Sequence, residues 1–157
     1  MDEIEKLVMS YEKIIGIHDL VVHDYGPGRV MVSLHAEVSG NENIFVLHDI
    51  IDNAEQALSR EFGCIAVIHM DPIETDDNVT AQKRFLVADA VKAIDSDITI
   101  HDFRMVPGVS HTNLIFDAVV PYSLKMSDSE IKQEISRVVG EKCENCNVVV
   151  NIDRPFV

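Results

Sequence analysis

Four histidines and one aspartate in the first half of the chain stand where a divalent cation could collect them: His18, His35, His48, His69 and Asp71. His69 and Asp71 are two apart in an apolar, β-branched run, and residues two apart on a strand share a face. His35 lies in residues 30–38, where Val30, Val32, Leu34, Ala36 and Val38 alternate with Met31, Ser33, His35 and Glu37. That alternation predicts a half-buried strand with the imidazole on its polar face. His18 opens the strand that should form a hairpin with it, and His48 falls in the first turns of a helix, off the stripe of Leu47 and Ile51. Imidazole nitrogen and carboxylate oxygen are the donors zinc takes three or four at a time in tetrahedral sites. Two ions bridged by Asp71 would use all five. A lone strand histidine is more often a surface or hydrogen-bonded residue; His23 and His111 lack such company and read that way.

The charge points the same way. The 157 residues carry 13 Lys+Arg against 27 Asp+Glu, a net charge of −14 with 46% hydrophobic content. Such a chain is globular rather than disordered, and it repels phosphate backbones and anionic lipid surfaces, so no nucleic-acid partner is expected. No apolar run reaches the length of about 18 residues that a membrane-crossing helix needs. The first residues, Met1-Asp2-Glu3-Ile4-Glu5-Lys6, are acidic and amphipathic, unlike a secretory signal. Three cysteines, Cys64, Cys143 and Cys146, are then expected as reduced thiols in a cytosolic setting.

The elements that must hold these donors come twice. Ile17-His18-Asp19-Leu20 recurs as Ile100-His101-Asp102-Phe103, and Ile68-His69-Met70-Asp71-Pro72 is echoed by Val150-Asn151-Ile152-Asp153-Arg154-Pro155. His101 follows His18 by 83 positions, Asp117 follows His35 by 82, and Asp153 follows Asp71 by 82. Helical spacing of Ile4, Leu7, Val8, Tyr11, Ile14 and Ile15 is followed by a strand at 17–25, a turn at Gly26-Pro27-Gly28 and the strand 30–38. Ser39-Gly40-Asn41 reads as the start signal of a helix carrying Ile44, Leu47, Ile51, Ala54 and Leu58, and a strand at 65–71 ends at Pro72. The second copy repeats the order: helix 83–94, strands 98–106 and 112–120, helix 127–142, strand 147–153. The expected class is α+β, two tandem ferredoxin-like αββαβ units, residues 1–73 and 83–157, joined by a polar linker at 74–82.

Gly16-Ile17-His18-Asp19-Leu20, the Gly26-Pro27 turn, Leu34-His35-Ala36-Glu37-Val38, the helix carrying His48, and Ile68-His69-Met70-Asp71-Pro72 follow one another in an order and spacing that resembles the cytoplasmic C-terminal domain of cation diffusion facilitator (cation efflux) metal transporters. The likeness covers residues 1–73. It implies a metallochaperone-like fold at the cytoplasmic face of the cell membrane, a homodimer, and a partner transmembrane domain of the same transporter that this chain does not contain. It implies regulation of transport by bound Zn2+, with Mn2+, Fe2+, Co2+ and Cd2+ also accommodated, and metal ligands at His18, His35, His48, His69 and Asp71. An excised regulatory domain is the expectation, ahead of a free-standing relative.

The second copy departs from that pattern. His101 and Asp153 remain, Asp117 replaces the histidine of the second strand and Asn151 that of the third. His101, Asp117 and Asp153 would make a harder, oxygen-rich site suited to manganese or magnesium, against the simpler reading of a degenerate packing repeat. Cys143-Glu144-Asn145-Cys146 follows a helix C-terminus, where the dipole opposes a thiolate, so structural thiols are expected ahead of a metal or redox pair. Two functional alternatives stay open: a metal-independent dimerisation module, and a metal-dependent hydrolase built on the His-Asp pairs. The second is disfavoured because such pairs belong to helical domains and no phosphate loop or nucleophile elbow accompanies them, so no enzyme is expected.

Overall fold

A computed structural model describes residues 1–154. The chain divides into two compact units, Met1–Ile73 and Glu74–Val157, each with a core of its own. The first runs α1 (Asp2–Met9), β1 (Ile14–Asp24), β2 (Val30–Ser39), α2 (Ile44–Phe62) and β3 (Cys64–Ile73). The second runs α3 (Asp77–Val91), β4 (Thr99–Pro107), β5 (Thr112–Val119), α4 (Asp128–Lys142) and β6 (Cys146–Asp153). Both are αββαβ, with three strands in sequence order, the first pair antiparallel and the second parallel across the helical crossover. The α+β class with two ferredoxin-like units is the architecture observed.

In the first unit, Val32, Leu34 and Ala36 of β2 and Ile68 of β3 pack against Ile51, Ala54 and Leu58 of α2, joined by Ile4 and Val8 of α1. Both helices therefore feed one face of the sheet. The alternation of β2 leaves Ser33, His35 and Glu37 on the other. The second unit uses Leu114, Phe116 and Ala118 against Ile131, Ile135 and Val138 of α4, with Val87, Ala90 and Val91 of α3. At the β1–β2 hairpin, Tyr25 N–H donates to Arg29 O at 3.0 Å while Gly26 and Gly28 take φ of 104° and 74°. That left-handed backbone is why the turn carries glycines.

Four boundaries differ from those the sequence predicts, each for a physical reason. α1 stops at Met9, and Ile14 and Ile15 belong to β1, where Ile14 pairs with Val38. Their helical spacing was fortuitous; β-branched side chains pack well on a pleated surface. α2 starts after Asn43, whose side chain accepts from the N–H groups of Phe45 and Val46, while Ser39 still pairs with Ile73 in the sheet. β3 continues through Pro72 to Ile73, which an edge strand tolerates because a proline needs no second ladder partner there. α3 begins at Asp77, capped by Asp76 on Asn78 and Val79, so residues 77–82, expected as linker, are helical. The acidic run that reads as a linker is a cap. Of the repeat's echo in the third strands, Pro155 lies outside the described residues.

Asn43 satisfies two otherwise unpartnered N–H groups at 2.9 and 3.4 Å. Asn43→Ala is expected to cost about 1 kcal/mol, seen as a lower urea midpoint, while Asn43→Asp keeps the wild-type value.

Candidate metal centre

Three strands meet at Asp71. In the register of the sheet, His18 of β1 faces His35 of β2, which faces His69 of β3, and Asp71 lies two residues further along β3. The Asp71 carboxylate collects all three rings. Oδ2 lies 3.0 Å from His18 Nε2 and 3.0 Å from His35 Nδ1, and Oδ1 lies 3.2 Å from His69 Nε2. The rings of His18 and His35 are 4.8 Å apart and those of His35 and His69 4.7 Å. Exposure is graded across the cluster: the Asp71 side chain is 5% exposed, His18 12%, His35 37% and His69 66%. The centre thus has an anionic floor and an open mouth on the sheet face away from the helices.

A bulge aims His18 into it. The β1–β2 register shifts between His18 and Val21, and Asp19 between them sits at φ 51°. Aspartate tolerates that left-handed conformation better than most residues, and a bulge re-aims the side chain beside it. Asp19 Oδ2 also stands 3.2 Å from His18 Nδ1, holding the ring whose Nε2 faces Asp71. The second unit repeats the device: the register shifts between His101 and Arg104, and Asp102 has φ 50°. The role of Asp19 is not legible from residue type alone; its one signal in the chain is the recurrence of His-Asp at 18–19 and 101–102.

Glu37 is a second residue not singled out from sequence. It is buried at 3% exposure, in register with Asp71 on one side and Gly16 on the other. A Cβ at Gly16 would stand 2.6 Å from Glu37 Oε2, so glycine at that position is what leaves room for the carboxylate.

Burial works against charge on His18, but its hydrogen bonds to Asp71 and then Asp19 outweigh it and hold the imidazole above its ordinary 6.5. For Asp71, burial favours the neutral acid, yet the bonds from His18 and His35 win and hold it below 3.8. The chemistry of the donors suits a borderline dication. Tetrahedral ligands about 2.0–2.1 Å from zinc lie about 3.4 Å from one another. Ligand atoms of His18, His35 and Asp71 all lie within 4.8 Å of each other, so two nitrogens and an oxygen are close to the spacing that one ion would require. His69, whose ring reaches Asp71 from the open side, is placed to complete the set.

His48 is not gathered with them. α2 packs through Leu47, Ile51, Ala54 and Leu58 on the opposite face of the sheet, and His48 is exposed to solvent. Among the described residues the second unit holds no comparable cluster. His101 still pairs with Asp117, but it is exposed and its Nε2 stands 3.4 Å from Thr99 Oγ1, where the first unit has Gly16. Asn151 lies beside Asp117 in place of a third imidazole, and its amide donates to Asp153 at 3.3 Å. Burial, then the Asp153 carboxylate, hold Asp117 above its ordinary range. His23 and His111 are exposed.

The cysteines differ from expectation. Cys143 and Cys146 are joined as a disulfide, their Cα atoms 5.7 Å apart, a spacing that a C-x-x-C turn supplies and a bridge requires. Cys64 is free and buried, and that burial raises its thiol pKa.

These features sit in a recognisable family context. Residues 1–73, the whole of the first unit, match the family described as cation efflux protein, cytoplasmic domain. The cation-efflux pump FieF of Salmonella typhi is 37% identical over 71 residues, 45% of this chain and 24% of that protein. The uncharacterized transporter MJ0449 of Methanocaldococcus jannaschii is 38% identical over 72 residues, 45% of this chain and 25% of that one. A solved structure of CzrB in its Zn form aligns at 27% identity and TM-score 0.42, covering 45% of this chain and 82% of the other. The chain spans about a quarter of the length of the curated relatives it matches. No helix among the described residues is long and apolar enough to cross a membrane.

Proposed function

We propose that the first unit is the divalent-metal-binding regulatory and dimerisation domain of a cation efflux transporter, acting at the cytoplasmic face of the membrane. The observation that carries this reading is the convergence of His18, His35 and His69 on one buried carboxylate, within a unit that matches the cation efflux cytoplasmic family. His18, His35, Asp71 and His69 would hold the ion, and His48 would serve only from outside this cluster. A dication supplies what the cluster lacks without it: a fixed positive charge that ties three strands at one point, over the buried Asp71 carboxylate. Two copies of such a unit would associate as a homodimer beneath the membrane part of the same transporter, and occupancy would bias their packing and so the rate of efflux. Zinc heads the candidates because two or three imidazoles with one carboxylate are its usual donors. Nothing in this role requires catalysis.

Titration calorimetry with ZnCl2 is expected to show binding at micromolar or tighter concentration, with metal raising the unfolding temperature and a chelator reversing it. No heat and no thermal shift at neutral pH would end the metal reading. If the sedimentation profile then showed a chelator-resistant dimer, a metal-independent dimerisation module would take its place.

The pH dependence has two opposite signs. The metal needs neutral imidazole, so affinity rises as pH climbs through the His18 value, which lies above 6.5, and falls below it. Without metal, the protonated His18 beside Asp71 stabilises the fold. That contribution is fully present below 6.5 and is lost as pH rises through the raised value; the part owed to ionised Asp71 is lost only as pH falls below 3.8. Thermal melts of the metal-free protein should therefore lose this contribution with rising pH over the interval in which zinc affinity increases.

A further inference from the structure

The second unit contains a covalent feature that metal binding in the first does not use. Cys143 is the C-cap residue of α4 and Cys146 the first residue of β6. The two residues differ in exposure, although Cys146 packs against the core to which Cys143 belongs. Cys143 is 4% exposed and belongs to the unit's core, whereas Cys146 is only partly buried. Lys83, on α3, points its ammonium at Cys143, Nζ donating toward Sγ at 3.3 Å. The turn between the cysteines is anchored: Asn145 adopts φ 55°, and its carbonyl accepts from Thr112 N–H at 2.8 Å, at the position where β5 and β6 begin to pair.

We propose that Cys143 and Cys146 form a thiol-exchange site, a reversible disulfide whose reaction partner is a low-molecular-weight thiol. Cys146 is the more exposed of the two residues, so its sulfur is assigned as the target of an external thiolate. Its attack on Cys146 Sγ forms a mixed disulfide there and breaks the Cys143–Cys146 bond, and the electron pair of that bond leaves on Cys143 as thiolate. Lys83 faces the leaving sulfur, so the developing negative charge meets a cation, offsetting the unfavourable helix C-terminus at which Cys143 lies. A second thiolate attacks the small-molecule sulfur of the mixed disulfide and releases Cys146. In sum, one protein disulfide and two thiols give two protein thiols and one small disulfide, two electrons passing to the protein. A bridge across a sequence separation of 3 restricts the unfolded chain little, so the oxidised form gains less from chain entropy than a long-range bridge would. Lys83 favours the reduced state by stabilising the thiolate. In the reduced state the end of α4 and the start of β6 are joined covalently only by the backbone of the turn.

The full chain, equilibrated in mixtures of reduced and oxidised glutathione, acid-quenched, alkylated and weighed intact, provides the test. The oxidised fraction of the pair is expected to follow the glutathione ratio smoothly while buried Cys64 stays unmodified. Cys143→Ala should retain one glutathione on Cys146, and Cys146→Ala should take up none. Lys83→Met should slow reduction by about tenfold and move the midpoint toward the disulfide, with Lys83→Arg restoring both and the melting temperature of the oxidised protein unchanged. A wild-type pair that stays wholly oxidised or wholly reduced across the series overturns the proposal. A Lys83→Met variant with wild-type rate and midpoint removes the lysine from it.

Discussion

Asp71→Asn is expected to lower zinc affinity by at least the 10- to 100-fold that loss of even an outer partner of a metal site costs. The substitution keeps the shape of the side chain and removes its charge. It also replaces one of the two oxygens that face His18, His35 and His69 with an amide that can only donate. No other carboxylate among the described residues joins His18 and His35 in one ligand cluster, so none is positioned to take over. The fold should survive. The variant loses the stabilisation that the buried His18–Asp71 pair supplies, but the partners on the open side, His35 and His69, are 37% and 66% exposed, and ion pairs that solvated contribute little. Loss of Asp71 also removes the larger of the interactions raising the His18 pKa, so a proton titration of the variant should find that imidazole less basic. Calorimetry alongside far-ultraviolet circular dichroism separates the outcomes: wild-type spectrum with lost binding is expected, whereas wild-type affinity would remove Asp71 from the centre.

The largest stability effect is expected at Phe116. Its side chain is 1% exposed, the largest of the fully buried side chains, stacked at 5.9 Å on Phe103 and packed in the second unit's core. Phe116→Ala deletes that volume where β5 meets α4, and such truncations cost about 3–5 kcal/mol. Domains are held by about 5–15 kcal/mol in all, so a large part of the unit's stability goes with one ring. Phe85→Ala is the control: at 76% exposure it fills no core position, and a change within about 0.5 kcal/mol is expected. Urea unfolding followed by circular dichroism reads both. Equal small shifts for the two variants would mean that the second sheet and its helices do not pack as described.

Much of the architecture was legible because burial imposes a period. Residues 30–38 alternate so cleanly that strand, face and imidazole direction all follow from the pattern, and the 82- to 83-residue repeat carries the same reading into the second unit. Boundaries were less legible where two local signals compete. Ile14 and Ile15 satisfy a helical stripe and a strand equally well, and their pairing with β2, a partner remote in sequence, decides between them. Asp76 and Asp77 read as linker because the same side chains that solvate a loop also cap a helix.

The candidate metal centre divides along the same line. Donor types, the shared face of His69 and Asp71, and the polar side of β2 follow from the chain alone, because side-chain direction on a strand alternates with every residue. Which donors meet is a matter of register. Parallel pairing of β2 with β3 sets His35 beside His69, and the bulge at Asp19 turns His18 onto the same carboxylate. α2, covering the other face, carries His48 away. The bridge between Cys143 and Cys146 is local, three residues apart, but the placement of Lys83 against Cys143 was decided only by packing, since α3 and the end of α4 are distant in sequence and meet across a common core. Local pattern chooses the face on which a side chain stands; long-range pairing chooses its neighbours.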